Sequence, residues 1–166
     1  MAIKMNMEVM ELVYYFWQAT SDRDKVGEEF IMSIADHELM QPVYTEQFTS
    51  ESVRRALSAI SNRERFSADH KCESRFWNNN MWAMEDMGLM EAMMAPLKVM
   101  SFKDPGLEGD YEVVTLPLHM DDFYLKGNTL YVNFFRIQAD LMGGDELKMD
   151  GVEFGQWVAQ TLKSAA

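Results

Sequence analysis

The chain has 166 residues, of which 48% are apolar and 25% charged, and it carries a formal net charge of −12. That balance excludes a disordered chain, and the acidity argues against unspecific binding to nucleic acid or anionic lipid. No run of about 18 apolar residues occurs, so no membrane span is expected.

Residues 4–20 read as a helix, with Met5, Val9, Leu12, Phe16 and Ala19 on one face and Met10, Tyr14 and Trp17 beside them. The breadth of that apolar arc predicts burial on two sides, one of them by a second subunit. Glu8 and Glu11 interrupt what would be the core of a signal peptide, so none is read here. Residues 22–40 form a second predicted helix, capped by Asp22 and stopped by Pro42. After a connector at 43–49, Thr49 or Ser50 caps a third helix running to about residue 61, buried through Val53, Ala56, Leu57 and Ile60. Residues 62–74 are polar and basic and read as a loop or frayed helix.

Residues 75–94 follow, with two tryptophans, three consecutive asparagines and six methionines in twenty positions. A helix apolar around most of its circumference either lies at the centre of a core or offers a second face to a partner. It is expected over 76–95, with Pro96 ending or kinking it.

The pattern then changes. Asp104, Pro105, Gly106 and Gly109 mark a turn-rich link. Tyr111 to Leu118 reads as a strand, and Phe123–Leu125 with Thr129–Ala139 as a hairpin about Gly127-Asn128. In the longer arm Leu130, Val132 and Phe134 share one face while Phe135 and Ile137 take the other, which predicts a bulge or a strand covered on both sides. Gly143-Gly144-Asp145 is a turn, Glu146–Met149 a short strand, and 152–163 a closing helix. The expected fold is α+β and a single domain: a helical half over 1–96, then a small antiparallel β-meander and a C-terminal helix over 97–166.

No catalytic signature stands out. Glu-x-x-His, His-Glu-x-x-His, paired Cys-x-x-Cys, glycine-rich phosphate loops and serine-nucleophile motifs are all absent, so no metal or other cofactor is expected. His119-Met120-Asp121-Asp122 is the best local metal cluster, its bland reading being a polar turn before a strand. Cys72 lies near His70 and Lys71, which would lower a thiol pKa, yet it also reads as an incidental cysteine. As the only cysteine it cannot form an internal disulfide, and a cytoplasmic location is expected.

Charge is unevenly spread: residues 53–75 hold Arg54, Arg55, Arg63, Arg65, Lys71 and Arg75 against Glu64, Asp69 and Glu73, a net of +3. These arginines either converge on an anion or pair with acids of the C-terminal half. The candidate binding residues are Arg75, Trp77, Asn78, Asn79, Asn80 and Trp82, together with Met90 and Met94. Tryptophans would form walls, asparagines polar contacts and methionines an adaptable surface. The functional expectation is a non-catalytic binding protein that self-associates or takes a protein partner, a basic one if net charge governs the encounter. The alternative is a small-molecule binder or enzyme with a pocket between helices and meander, lined by Arg75, Trp77, Asn79 and Trp82, with His119 or Asp122 for chemistry.

Overall fold

The computed structural model describes residues 3–102, 108–139 and 146–165. Among the described residues, six α-helices and seven strands make an α+β arrangement, with a helical N-terminal half and a C-terminal helix. The expected turns at 104–106 and 143–145 lie outside the described residues.

The chain opens with a strand rather than a helix: β1, Ile3–Asn6, pairs in parallel with β2, Tyr111–Leu116. Met5 keeps helical spacing with Val9, but it faces Val113 in the sheet. The switch lies in Asn6, whose side-chain oxygen accepts the Glu8 backbone N–H at 3.0 Å. That bond turns the chain into α1, Glu8–Ser21.

Helix α1 runs through the core. Val9, Met10, Val13, Phe16 and Trp17 are all buried, so this chain itself covers Met10 and Trp17 of the second apolar stripe, while Tyr14 stays half-buried. Asp22 ends α1 instead of capping the next helix, and α2 spans only Glu28–Ala35, entered from Gly27. Pro42 sits in a short 3-10 turn at Gln41–Val43. Helix α3, Ser50–Asn62, starts where Thr49 accepts the Ser52 backbone N–H, and the Ser52 hydroxyl accepts that of Thr49 in return.

The long apolar run divides in two. Helix α4 spans Lys71–Met84, and α5 spans Met87–Lys98 with Pro96 inside its last turn. The break falls at Glu85-Asp86, where the Asp86 carboxylate accepts the Leu89 N–H at 3.1 Å and begins a new helix.

The strands depart from a plain antiparallel meander. In the four-stranded sheet the order is β1-β2-β4-β3, with β3 at Phe123–Lys126 and β4 at Thr129–Asn133. The hairpin turns at Gly127, whose φ of 60° suits glycine. β4 then inserts beside β2, parallel to it, with Glu112 opposite Thr129 and Leu116 opposite Asn133. Burial explains the order. Leu130 to Asn133 are buried on both faces and need a central position, whereas both ends of β3 are exposed and suit an edge. After β4 the chain leaves the strand in a 3-10 turn at Phe134–Arg136, where a bulge or a longer strand was expected, and Phe134 and Phe135 lie edge to face at 5.9 Å.

A second, three-stranded antiparallel sheet joins β5 (Gln138–Ala139), β6 (Leu147–Met149) and β7 (Val152–Glu153). Helix α6, Phe154–Ala165, packs on it through Phe154, Trp157, Val158 and Leu162. Buried residues of both halves join one hydrophobic cluster, in which Trp17 meets Phe134 and Phe135 at ring separations of 6.0 and 5.9 Å.

Candidate functional site

Helix α4 sorts its side chains onto three sides. Phe76, Asn80 and Ala83 point inward and are buried. The Asn80 side-chain oxygen accepts the Trp17 indole N–H at 2.8 Å, and its NH2 donates to the Phe76 carbonyl at 2.8 Å. Its amide therefore binds α1 to α4. Asn79 serves the neighbouring seam, donating to the Leu118 and His119 carbonyls at 3.1 and 3.2 Å.

On the outer side, Lys71, Arg75, Asn78 and Trp82 follow one another at helical spacing and are exposed, Trp82 to 47%. The third side carries Trp77, Met81 and Met84. These three meet Ala59, Ile60, Arg63 and Glu64 across a cleft of 220 Å³ between α3 and α4. The α3 C-terminus shapes its rim. Arg63 adopts a left-handed φ of 55°, its guanidinium donates to the Thr20 carbonyl at 3.0 Å, and the Glu64 N–H returns to the Ala59 carbonyl at 2.8 Å. Behind the cleft the Phe66 ring lies nearly parallel to Trp77 at 6.5 Å, with Arg55 stacked over Phe66 at 5.5 Å. The Trp77 indole N–H is buried without an acceptor.

The expected site residues therefore do not converge. Trp77 faces the cleft, Arg75, Asn78 and Trp82 face outward, Asn79 and Asn80 are taken by internal hydrogen bonds, and Met90 and Met94 are buried in the core. Asn79 fills the seam between α4 and the loop before β3, where the pocket lined by Arg75, Trp77, Asn79 and Trp82 was expected. Met81 and Met84 are the contact methionines that the sequence left undistinguished. Their signal was helical spacing from Trp77, at i+4 and i+7.

Of the basic segment, Arg54 and Arg55 form ion pairs. Arg54 bonds Glu51 and approaches Glu28 at 3.9 Å. Arg55 meets Asp69 at 3.3 Å, Glu73 at 3.9 Å and the Ser67 carbonyl at 2.5 Å. These acids all belong to the N-terminal half, not to the C-terminal half. Arg65 and Arg75 have no hydrogen bond or ion pair among the described residues.

Glu73 is a buried carboxylate held by the Ser52 hydroxyl at 2.5 Å and the Asp69 N–H at 2.8 Å. Burial pushes its pKa up, but those bonds, the His70 N–H and the Arg55 charge outweigh it and leave the group below its ordinary value. Glu73 is thus an ionised strut at the start of α4.

The chemical candidates separate as well. The His119 ring is buried against Phe48 at 4.5 Å, and neither ring nitrogen has a partner. Burial lowers its pKa, with Asp121 pulling the other way. Asp121 itself accepts the Tyr124 hydroxyl at 2.6 Å, and Asp122 pairs with Arg136 at 3.6 Å. The turn sends the imidazole inward and the carboxylates outward. Among the described residues no group of three or more His, Cys, Asp or Glu is placed to hold a metal ion. The Cys72 thiol is buried, donates to the Gln47 carbonyl at 3.3 Å, and burial raises its pKa, which keeps it protonated.

Other grooves lie elsewhere, one of 450 Å³ along Lys4, Tyr111, Glu112, Asn128 and Thr129. Another beside β1, of 290 Å³, is lined by Lys4, Asn6, Glu8, Glu11 and Lys98, and internal contacts use several of these groups: Lys98 with Glu11 at 3.9 Å, Asn6 with Glu8 at 3.2 Å. Among the described residues no helix is long and apolar enough to cross a membrane. No family model matches the chain, and neither a curated protein nor a solved structure matches it.

Proposed function

We propose that the protein acts by binding another polypeptide, and that the cleft between α3 and α4 is its contact surface. The observation that carries this reading is the stripe of Trp77, Met81 and Met84. It is left half-covered on a helix whose inner side is fully packed, and its rim is charged. Tryptophan and methionine are the residues that interface cores favour, and thioethers adapt to an incoming surface.

Size argues for a polypeptide over a small molecule. At 220 Å³ the cleft lies below the roughly 300–1,000 Å³ typical of ligand pockets. It suits one or two side chains of a partner. A basic partner, favoured by the −12 charge as a whole, would be drawn to the more acidic C-terminal half and not to this basic stretch. A cytoplasmic setting, where the lone thiol stays reduced, fits the same proposal.

The test is a photo-crosslinking residue at position 81 of the full chain, expressed in its native host, with position 160 on α6 as control. The expected result is a light-dependent polypeptide adduct at 81, absent at 160 and lost when Met84→Glu is added. Equal adducts at both positions, or none at 81, would remove the cleft as the contact surface.

A further inference from the structure

We infer that His119 is a pH-sensitive latch on the segment between β2 and β3: a proton on its ring drives the imidazole out from Phe48 and breaks the tie between Asn79 and the backbone of Leu118 and His119. The ring is 9% exposed and sits 4.5 Å from Phe48. That contact closes an aromatic row, because Phe48 is fully buried and packs on Phe76 at 5.3 Å and on Tyr44 at 5.8 Å. An imidazolium carries two N–H donors, and neither ring nitrogen has a hydrogen-bond partner where the ring stands. Burial accordingly holds the ring neutral at neutral pH.

The polar groups on the surrounding elements are committed elsewhere. On α4 the Cys72 thiol donates to the Gln47 carbonyl, and Glu73 is held by Ser52 and the Asp69 N–H. On the connector before α3, the Tyr44 hydroxyl donates to the Ala35 carbonyl, and Glu46 is exposed. On the β3 side, Tyr124 donates to Asp121, while Asp122 pairs with Arg136. Of these acids Asp121 acts on the ring, and it is exposed, two residues along the chain. An outward swing therefore gives the imidazolium water and brings it towards an opposite charge. The backbone follows the ring, because the inner tie of this segment is a single side chain: the Asn79 amide donates to the Leu118 and His119 carbonyls at 3.1 and 3.2 Å. The outer tie is separate, with Arg136 donating to the Met120 carbonyl at 2.9 Å and Asn133 to the Asp121 carbonyl at 3.0 Å. Turning residue 119 outward pulls its carbonyl from Asn79 while the Met120–Asp121 end stays fixed. The closed form keeps the proton off, and by linkage the proton weakens the closed form.

The experiment is a nuclear magnetic resonance titration of the full chain from about pH 7.5 down to about pH 5. The His119 ring and the Asn79 side-chain NH2 are expected to shift together, with one midpoint below the ordinary 6.5, while Val158 in α6 stays still. Asn79→Ala should raise the ring's midpoint by about half a unit or more, because a latch with a weaker tie opens more readily. A ring that turns out without moving the backbone would keep its midpoint in that variant. His119→Phe should hold the Asn79 NH2 unshifted over the whole range. The latch is overturned by a ring that titrates while Asn79 stays still, by a midpoint indifferent to Asn79→Ala, or by an Asn79 shift that survives in His119→Phe. A ring that takes no proton until the whole spectrum collapses overturns it too, since the event is then global unfolding and not a local release.

Discussion

His119 is the side chain whose setting demands most explanation. A buried imidazole with two unpartnered nitrogens is tolerable only while neutral, and the tilted Phe48 ring beside it offers no acceptor for an added proton. Because its folded pKa lies below the ordinary 6.5, the unfolded chain binds the proton more readily. Stability is therefore fully present above about pH 6.5 and falls as pH drops through that value towards the folded pKa. Urea unfolding between pH 7 and pH 5 should show this loss, and His119→Phe should flatten it. At neutral pH the same variant should be neutral or more stable by about 1 kcal/mol, since it removes unpaired polar atoms from the core. A pH slope unchanged in His119→Phe would mean that another group governs it. The sequence placed His119 beside two carboxylates, and chain adjacency was misleading: neighbours in a turn point in different directions. Asn80 shows the same limit. Three asparagines in a row read alike, and only the position of Trp17, 63 residues away, assigns one of them to the core.

Helices announced themselves wherever their signals were local. Thr49 or Ser50 and the stripe of Val53, Ala56, Leu57 and Ile60 located α3 almost to the residue, because cap and face lie within one short segment. The division between α4 and α5 was hidden, since apolar residues continue across it and the only punctuation is Asp86. That aspartate is a cap with a measurable role. Asp86→Ala should lower unfolding free energy by about 1 kcal/mol in a urea titration, and Asp86→Asn should recover most of it, because the amide oxygen also accepts the Leu89 N–H. Equal losses in both variants would show that charge, not capping geometry, matters at this junction. Strand order was less legible than helix position. Each strand has its own alternation, but which strand lies beside β2 depends on how the fold covers both faces of β4.

Both halves of the molecule complete the same core. Met7 accepts a hydrogen bond from Thr115 at 2.8 Å, β1 closes one edge of a sheet otherwise built from residues 111–133, and Trp17 packs on Phe134 and Phe135. A fragment of residues 1–102 keeps most helices but leaves these surfaces bare. It should unfold without a cooperative transition and show weak near-ultraviolet dichroism, while the full chain unfolds in one step. A sharp, independent transition in the fragment would mark the helical half as a self-sufficient unit. The shift from helical to β patterning near residue 100 was plain in the sequence, yet it marks a change of element type and not a boundary in packing. The parallel pairing of Ile3 with Tyr111 also has a consequence in time. A ribosome adding about 5–20 residues per second takes roughly 5–20 s to make the strand that the first one needs. Until then Ile3 and Met5 wait uncovered on the nascent chain, and the charge on Lys4 is what discourages neighbouring chains from pairing with them first.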